Sequence, residues 1–197
     1  MKWFNRLIIG VMSLAAMSCA EDEVPERLNF FGDSEISRWG LQNSFPTLWT
    51  ENYGNPGTGV VYLEECRGKS GNVPYVVLSG TNDAWTLHYS REFDAYAVRY
   101  VDAVLAIGSG PVYLFAILPR SVDDGCPHAL HETIPELNRA ILTELKRREE
   151  PRVTYIDLYD RFLGPHGGLD MNLSYDGLHY NRYGYEILTK ALNDRIL

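Results

Sequence analysis

Short apolar runs that suit buried strands alternate along this chain with longer stretches whose apolar residues return every three or four positions. That alternation leaves few ways to fold. The clearest strand is Pro74-Tyr75-Val76-Val77-Leu78-Ser79, continuously apolar as a strand covered on both faces must be. The clearest helix follows at 93–105, where Phe93, Tyr96, Tyr100 and Val104 share one stripe and Gly108 and Gly110 close the segment. Further strands are predicted at 27–31, 47–52, 112–118 and 153–158, and further helices at 35–42, 58–66, 131–148 and 183–196. Strands and helices in this alternation predict an α/β domain with helices on both faces of a parallel five-stranded sheet.

In such sheets the chemistry collects at the carboxyl ends of the strands. Three polar, glycine-bearing segments each follow a predicted strand directly: Gly32-Asp33-Ser34, then 52–57 (Asn-Tyr-Gly-Asn-Pro-Gly), then Gly80-Thr81-Asn82-Asp83. All three are expected on one edge. The same topology bears on Cys66 and Cys126. Cys66 ends a helix running away from that edge, whereas Cys126 lies in a loop leaving it, too far apart for a bond limited to about 7 Å between Cα atoms. Two unpaired cysteines are expected.

A chain of 197 residues suits one domain, here 27–197. The net charge of −8, with no basic run, argues against nucleic acid as a partner. Residues 1–18 read as an export signal: Lys2 and Arg6 precede an apolar stretch from Leu7 to Ala16 that is too short to span a bilayer. The segment Leu14-Ala15-Ala16-Met17-Ser18-Cys19 resembles the lipobox of bacterial lipoproteins, which implies Cys19 as a lipidated N-terminus. Residues 19–26, with Glu21, Asp22 and Glu23, then form an acidic tether that resembles surface-export signals of some Gram-negative lipoproteins. The resemblance implies an envelope protein at the outer membrane, on its periplasmic or surface face, touching the membrane only through that lipid. Ordinary cleavage near Ser18 or Ala20 is the alternative.

A serine hydroxyl attacks an ester only when a base takes its proton and donors hold the oxyanion. Among His88, His128, His131, His166 and His179, only His179 has a carboxylate placed to orient it, in Asp176-Gly177-Leu178-His179. Competing chemistries fail on spacing. The G-x-S-x-G elbow is absent. Gly68-Lys69-Ser70 lacks the glycine that a phosphate-binding loop needs at position 63, which is Leu63. Cys126, His128 and His131 have no second ligand cluster to close a zinc site, so no metal and no cofactor is expected.

Phe31-Gly32-Asp33-Ser34, the 52–57 segment, Gly80-Thr81-Asn82-Asp83 and Asp176-Gly177-Leu178-His179 resemble, in order and spacing, the conserved blocks of the SGNH (GDSL-type) hydrolases over about 27–192. The resemblance implies a three-layer α/β/α, flavodoxin-like sandwich and ester hydrolysis through an acyl-serine intermediate. It implies Ser34 as nucleophile, His179 as base and then acid, and Asp176 as its orienting carboxylate. The oxyanion would be met by the N–H groups of Ser34 and Gly57 and by the Asn82 side chain. Asp33 is expected to hold the turn at Ser34. Trp39, Trp49 and Trp85 lie near these segments and could stack on a sugar or wall a small acyl pocket; core packing is the competing role. These features point to a small-molecule or glycan ester substrate with a short acyl group such as acetyl. Alternatives are a lysophospholipase- or thioesterase-type lipid acyl hydrolase and a non-catalytic, glycan-binding surface lipoprotein.

Overall fold

The computed structural model describes residues 25–121 and 130–196. Five strands, β1 (Arg27–Gly32), β2 (Trp49–Gly54), β3 (Tyr75–Leu78), β4 (Val112–Phe115) and β5 (Val153–Ile156), form one wholly parallel sheet in the order β2-β1-β3-β4-β5. Side chains alternate between its faces along each strand, and the sequence is apolar on both. Phe31, Tyr75, Val77, Val112 and Leu114 pack under α3 (Val60–Glu65), α4 (Ala84–Ser90), α5 (Phe93–Ala106) and α6 (Leu130–Arg148). Leu28, Phe30, Val76, Leu78 and Phe115 pack on the opposite face under α1 (Ser34–Arg38), α2 (Leu41–Ser44) and α7 (Arg182–Ile196). The result is the expected three-layer α/β/α sandwich in flavodoxin-like strand order.

Several boundaries differ from the predicted ones, each for a local reason. The helix expected at 35–42 is two short helices, because Trp39 turns to an extended conformation (ψ 118°) to bury its indole beside Phe30 and Phe45. β2 starts and ends two residues late, because its ladder with β1 sets Trp49 against Arg27 and Gly54 against Gly32. It is an edge strand with only partly covered side chains, which is why its periodicity is weak. β4 ends at Phe115 although Ala116, Ile117 and Leu118 remain buried. Helix α4 was not anticipated at all: it buries only Ala84 and Leu87, too few apolar positions to announce a stripe.

Among the described residues no helix is long and apolar enough to cross a membrane. The leader, Cys19 and the acidic residues 21–23 lie outside the described residues, as does Cys126. Cys66 is buried and free.

Candidate active site

β1 lies between β2 and β3: the chain steps from β1 to β2 on one side, and the next connection crosses back to place β3 on the other. This is the switch point where a parallel sheet opens a crevice at its carboxyl edge. Ser34 stands there. The turn into it needs Gly32: a Cβ at that position would lie 1.9 Å from the Leu78 carbonyl oxygen, so only a bare backbone passes β3 so closely. Asp33 then caps α1, its Oδ1 accepting the Glu35 N–H at 3.0 Å. Since Asp33 does the capping, the Ser34 hydroxyl is spared that work. It makes no hydrogen bond to another described residue, and Ser34 is 8% exposed.

The loops after β2 and β3 close on this turn. Asn55 N–H donates to the Gly32 carbonyl at 2.9 Å, drawing the β2 loop to the end of β1. Gly57 lies exposed in that loop at φ 75°, a left-handed conformation that favours glycine and leaves its face open. One amide proton of Asn82 Nδ2 goes to the Thr58 carbonyl at 2.8 Å, which joins the β3 loop to the residue after Gly57 and leaves the second proton uncommitted. Asp83 completes the join: its Oδ2 accepts the Val60 N–H at 2.9 Å and the Tyr96 hydroxyl at 2.6 Å.

Asp176 and His179 come from the loop before α7. Asp176 Oδ1 accepts the N–H groups of Leu178 at 3.0 Å and His179 at 2.7 Å, and Oδ2 lies 2.7 Å from His179 Nδ1. A carboxylate at Nδ1 selects the tautomer with its proton there and the lone pair on Nε2. Partial burial pushes the Asp176 pKa up, but the bonds from the His179 imidazole and the two backbone N–H groups outweigh it and hold it at about 2. The loop is pinned behind: Tyr175 N–H and the Ser174 hydroxyl both donate to the His179 carbonyl, at 3.0 and 2.8 Å. It meets the nucleophile turn directly, since Tyr180 N–H donates to Glu35 Oε2 at 3.4 Å. The residues that follow His179 and Ser34 in the chain therefore touch.

All five expected positions, Ser34, Gly57, Asn82, Asp176 and His179, thus belong to segments linked to one another at the sheet's carboxyl edge. The tryptophans divide. Trp39 is core, its Nε1 donating to Ser44 and Thr189. Trp49 opens β2 at the opposite edge. Trp85 is 41% exposed at the start of α4, directly after the Gly80–Asp83 segment, and packs edge-on to Tyr89. Among the described residues no group of His, Cys, Asp and Glu is arranged to hold a metal; Cys126 and His128 lie outside them. Two residues of this edge escaped the sequence reading. Asp83 carried a signal, its place in a polar segment after a strand, whereas the five-residue helix α1 is too short for its period to mark Glu35 as buried.

The sequence profile of the GDSL-like lipase/acylhydrolase family matches residues 30–187. No curated protein matches the sequence. Among solved structures, a lipase/acylhydrolase from Enterococcus faecalis superimposes with a TM-score of 0.69 at 21% identity, covering 87% of this chain and 95% of that one. A GDSL-like lipase from Bacteroides thetaiotaomicron gives 0.64 at 20% identity, covering 87% of each chain. An acetylxylan esterase from Geobacillus stearothermophilus gives 0.61 at 18% identity, covering 87% of this chain and 94% of that one. At such identities the superpositions speak for the fold, and the profile speaks for the family: the chain belongs to the GDSL-like lipase/acylhydrolases.

Proposed function

We propose that this protein is a serine esterase that removes short acyl groups, such as acetyl, from an alcohol that is part of a glycan. The observation that carries the reading is the Asp176–His179 pair, which leaves Nε2 as the one basic nitrogen of a ring whose loop is bonded to the turn bearing Ser34. Ser34 Oγ attacks the ester carbonyl and His179 Nε2 takes its proton. The oxyanion is met by the N–H groups of Ser34 and Gly57 and by the free proton of Asn82 Nδ2, each worth about 3–4 kcal/mol at the transition state. His179 returns the proton to the leaving alcohol, and water cleaves the acyl-serine by the same steps reversed.

Two features support the substrate. Trp85 offers an exposed ring beside the oxyanion loops. A groove of about 850 Å³, lined by Tyr175, Tyr180, Arg182 and Asn43 among others and by none of the five site residues, opens beside the His179 loop between α1–α2 and α7 and offers room for the remote part of a bulky alcohol. One similar fold belongs to a protein named as an acetylxylan esterase. Export and a lipid tether at Cys19 complete the proposal, and they rest on the N-terminal sequence. Cys19→Ala should release the protein from membranes; retention in the membrane fraction would refute the tether.

The substrate is tested with a p-nitrophenyl ester series and acetylated oligosaccharides, using wild type and Ser34→Ala. The expected result is Ser34-dependent turnover, acetate exceeding octanoate, and deacetylation of at least one oligosaccharide. Octanoate exceeding acetate would favour a lipid acyl hydrolase. Absence of Ser34-dependent turnover on every ester would leave only a binding role.

A further inference from the structure

The family takes its name from a motif ending in leucine, and this chain carries Glu35 at that position. Glu35 is 2% exposed, and a buried carboxyl group is costly unless it is partnered or neutral. Its contacts run to the far side of the site. Tyr180 N–H donates to Oε2, the Tyr185 hydroxyl donates to the Glu35 carbonyl at 2.8 Å, and the same hydroxyl lies 3.5 Å from Oε2. Tyr180 follows His179 and is itself buried; Tyr185 is on the first turn of α7. A leucine would keep only the bond to its main-chain carbonyl and could make neither contact to Oε2.

We propose that Glu35 is a positioning residue, its carboxyl group tying the turn that carries Ser34 to the loop that carries His179 and so fixing how base and nucleophile meet. The inference rests on the reading of those two residues given above. The groups facing Glu35 are Asp33 before it, Arg38 on its own helix, Tyr180 on the loop and Tyr185 on α7. Burial, then the Asp33 carboxyl, pushes Glu35 up to about 8, against the pull of the Tyr180 N–H, Arg38 and Tyr185. Asp33 is itself pushed up to about 7, by burial first and by Asp83 among its neighbours. Glu35 Oε1 and Asp33 Oδ2 are buried with no hydrogen-bond partner, an environment that disfavours the charged form of each. Ionisation of Glu35 in alkali would place a buried negative charge next to the turn whose Ser34 N–H must meet the substrate's oxyanion, and kcat should fall there.

Two substitutions test this. Glu35→Gln keeps an oxygen for the Tyr180 N–H and cannot ionise; Glu35→Leu removes the acceptor. With p-nitrophenyl acetate, Glu35→Leu should lose kcat about tenfold or more with KM within about twofold, whereas Glu35→Gln should stay within about threefold of wild type at pH 7. Wild-type kcat should fall above a pH near 8, and that fall should be absent in Glu35→Gln. Wild-type kcat and an unchanged profile in both variants would overturn the proposal. An amide resonance provides a second readout that needs no turnover and survives poor folding of the leucine variant. The Tyr180 N–H signal should titrate near pH 8 in wild type and not in Glu35→Gln; equal behaviour in the two would also overturn it. Loss of all Ser34-dependent turnover in wild type would instead sink the esterase reading, with the amide titration still deciding the role of Glu35.

Discussion

Three N–H groups converge on the Asp176 carboxylate: two from the backbone at Leu178 and His179, and one from the His179 ring. The arrangement is local, because a three-residue spacing lets one carboxylate bridge the peptide and the imidazole of the same loop. Its use is to hold one ring tautomer and to face the imidazolium that forms when Ser34 gives up its proton. Asp176→Asn keeps the size of the side chain but brings an N–H₂ group toward Nδ1, favouring the other tautomer. The expected outcome is a fall in kcat on the order of 10³-fold with KM little changed, measured on p-nitrophenyl acetate. A variant within a few-fold of wild type would show that the carboxylate does not orient the base.

At the scale of elements, the site is an agreement among loops, and Asp83 is its clearest broker. One oxygen of Asp83 receives both the first N–H of α3, that of Val60, and the hydroxyl of Tyr96 on α5, fixing where the β2 loop lies against the β3 loop. Asp83→Ala should cost about 1 kcal/mol for the lost cap and roughly 1–3 kcal/mol for the stranded hydroxyl. Thermal unfolding should detect that loss, and an unchanged midpoint would contradict the role. Sequence pattern alone revealed the strands that are buried on both faces, the long helices and the polar segments after β1, β2 and β3, because each repeats its signal or stands at a fixed offset from a strand. It did not reveal α4, the break at Trp39 or the burial of Glu35. Those depend on contacts from elsewhere in the chain: α6 covering α4, the aromatic cluster drawing in Trp39, and the His179 loop closing over Glu35. The candidate catalytic residues were legible through four short blocks whose order and spacing resemble the family's, and for His179 also through the carboxylate three residues before it. The residue that joins the two halves was not, since a glutamate at the start of a short helix is ordinarily a solvated one.

For the whole molecule, the same joint shapes stability. Asp33 and Glu35 bind their protons more tightly folded than unfolded, so between about pH 4 and pH 8 the folded state holds more protons, and stability falls as pH rises through that window. Asp176 acts in the opposite sense and only in acid, its contribution being lost as pH drops from 3.8 toward about 2. The melting temperature should therefore peak near pH 4 and decline toward pH 8, with a shallower decline in Glu35→Gln; a melting temperature that climbs from pH 5 to pH 9 would contradict the buried pair. Strand order and the loop before α7 bring that pair, the capped turn and His179 to a single edge, where Ser34 is expected to act as a nucleophile. The most direct measurement is to treat the native protein with a fluorophosphonate, which reacts with activated serines whatever the natural substrate, and to map the adduct by peptide mass spectrometry. One adduct is expected, on the peptide containing Ser34, abolished by heat denaturation and by His179→Ala. No adduct, or an adduct on another serine that survives in Ser34→Ala, would contradict it.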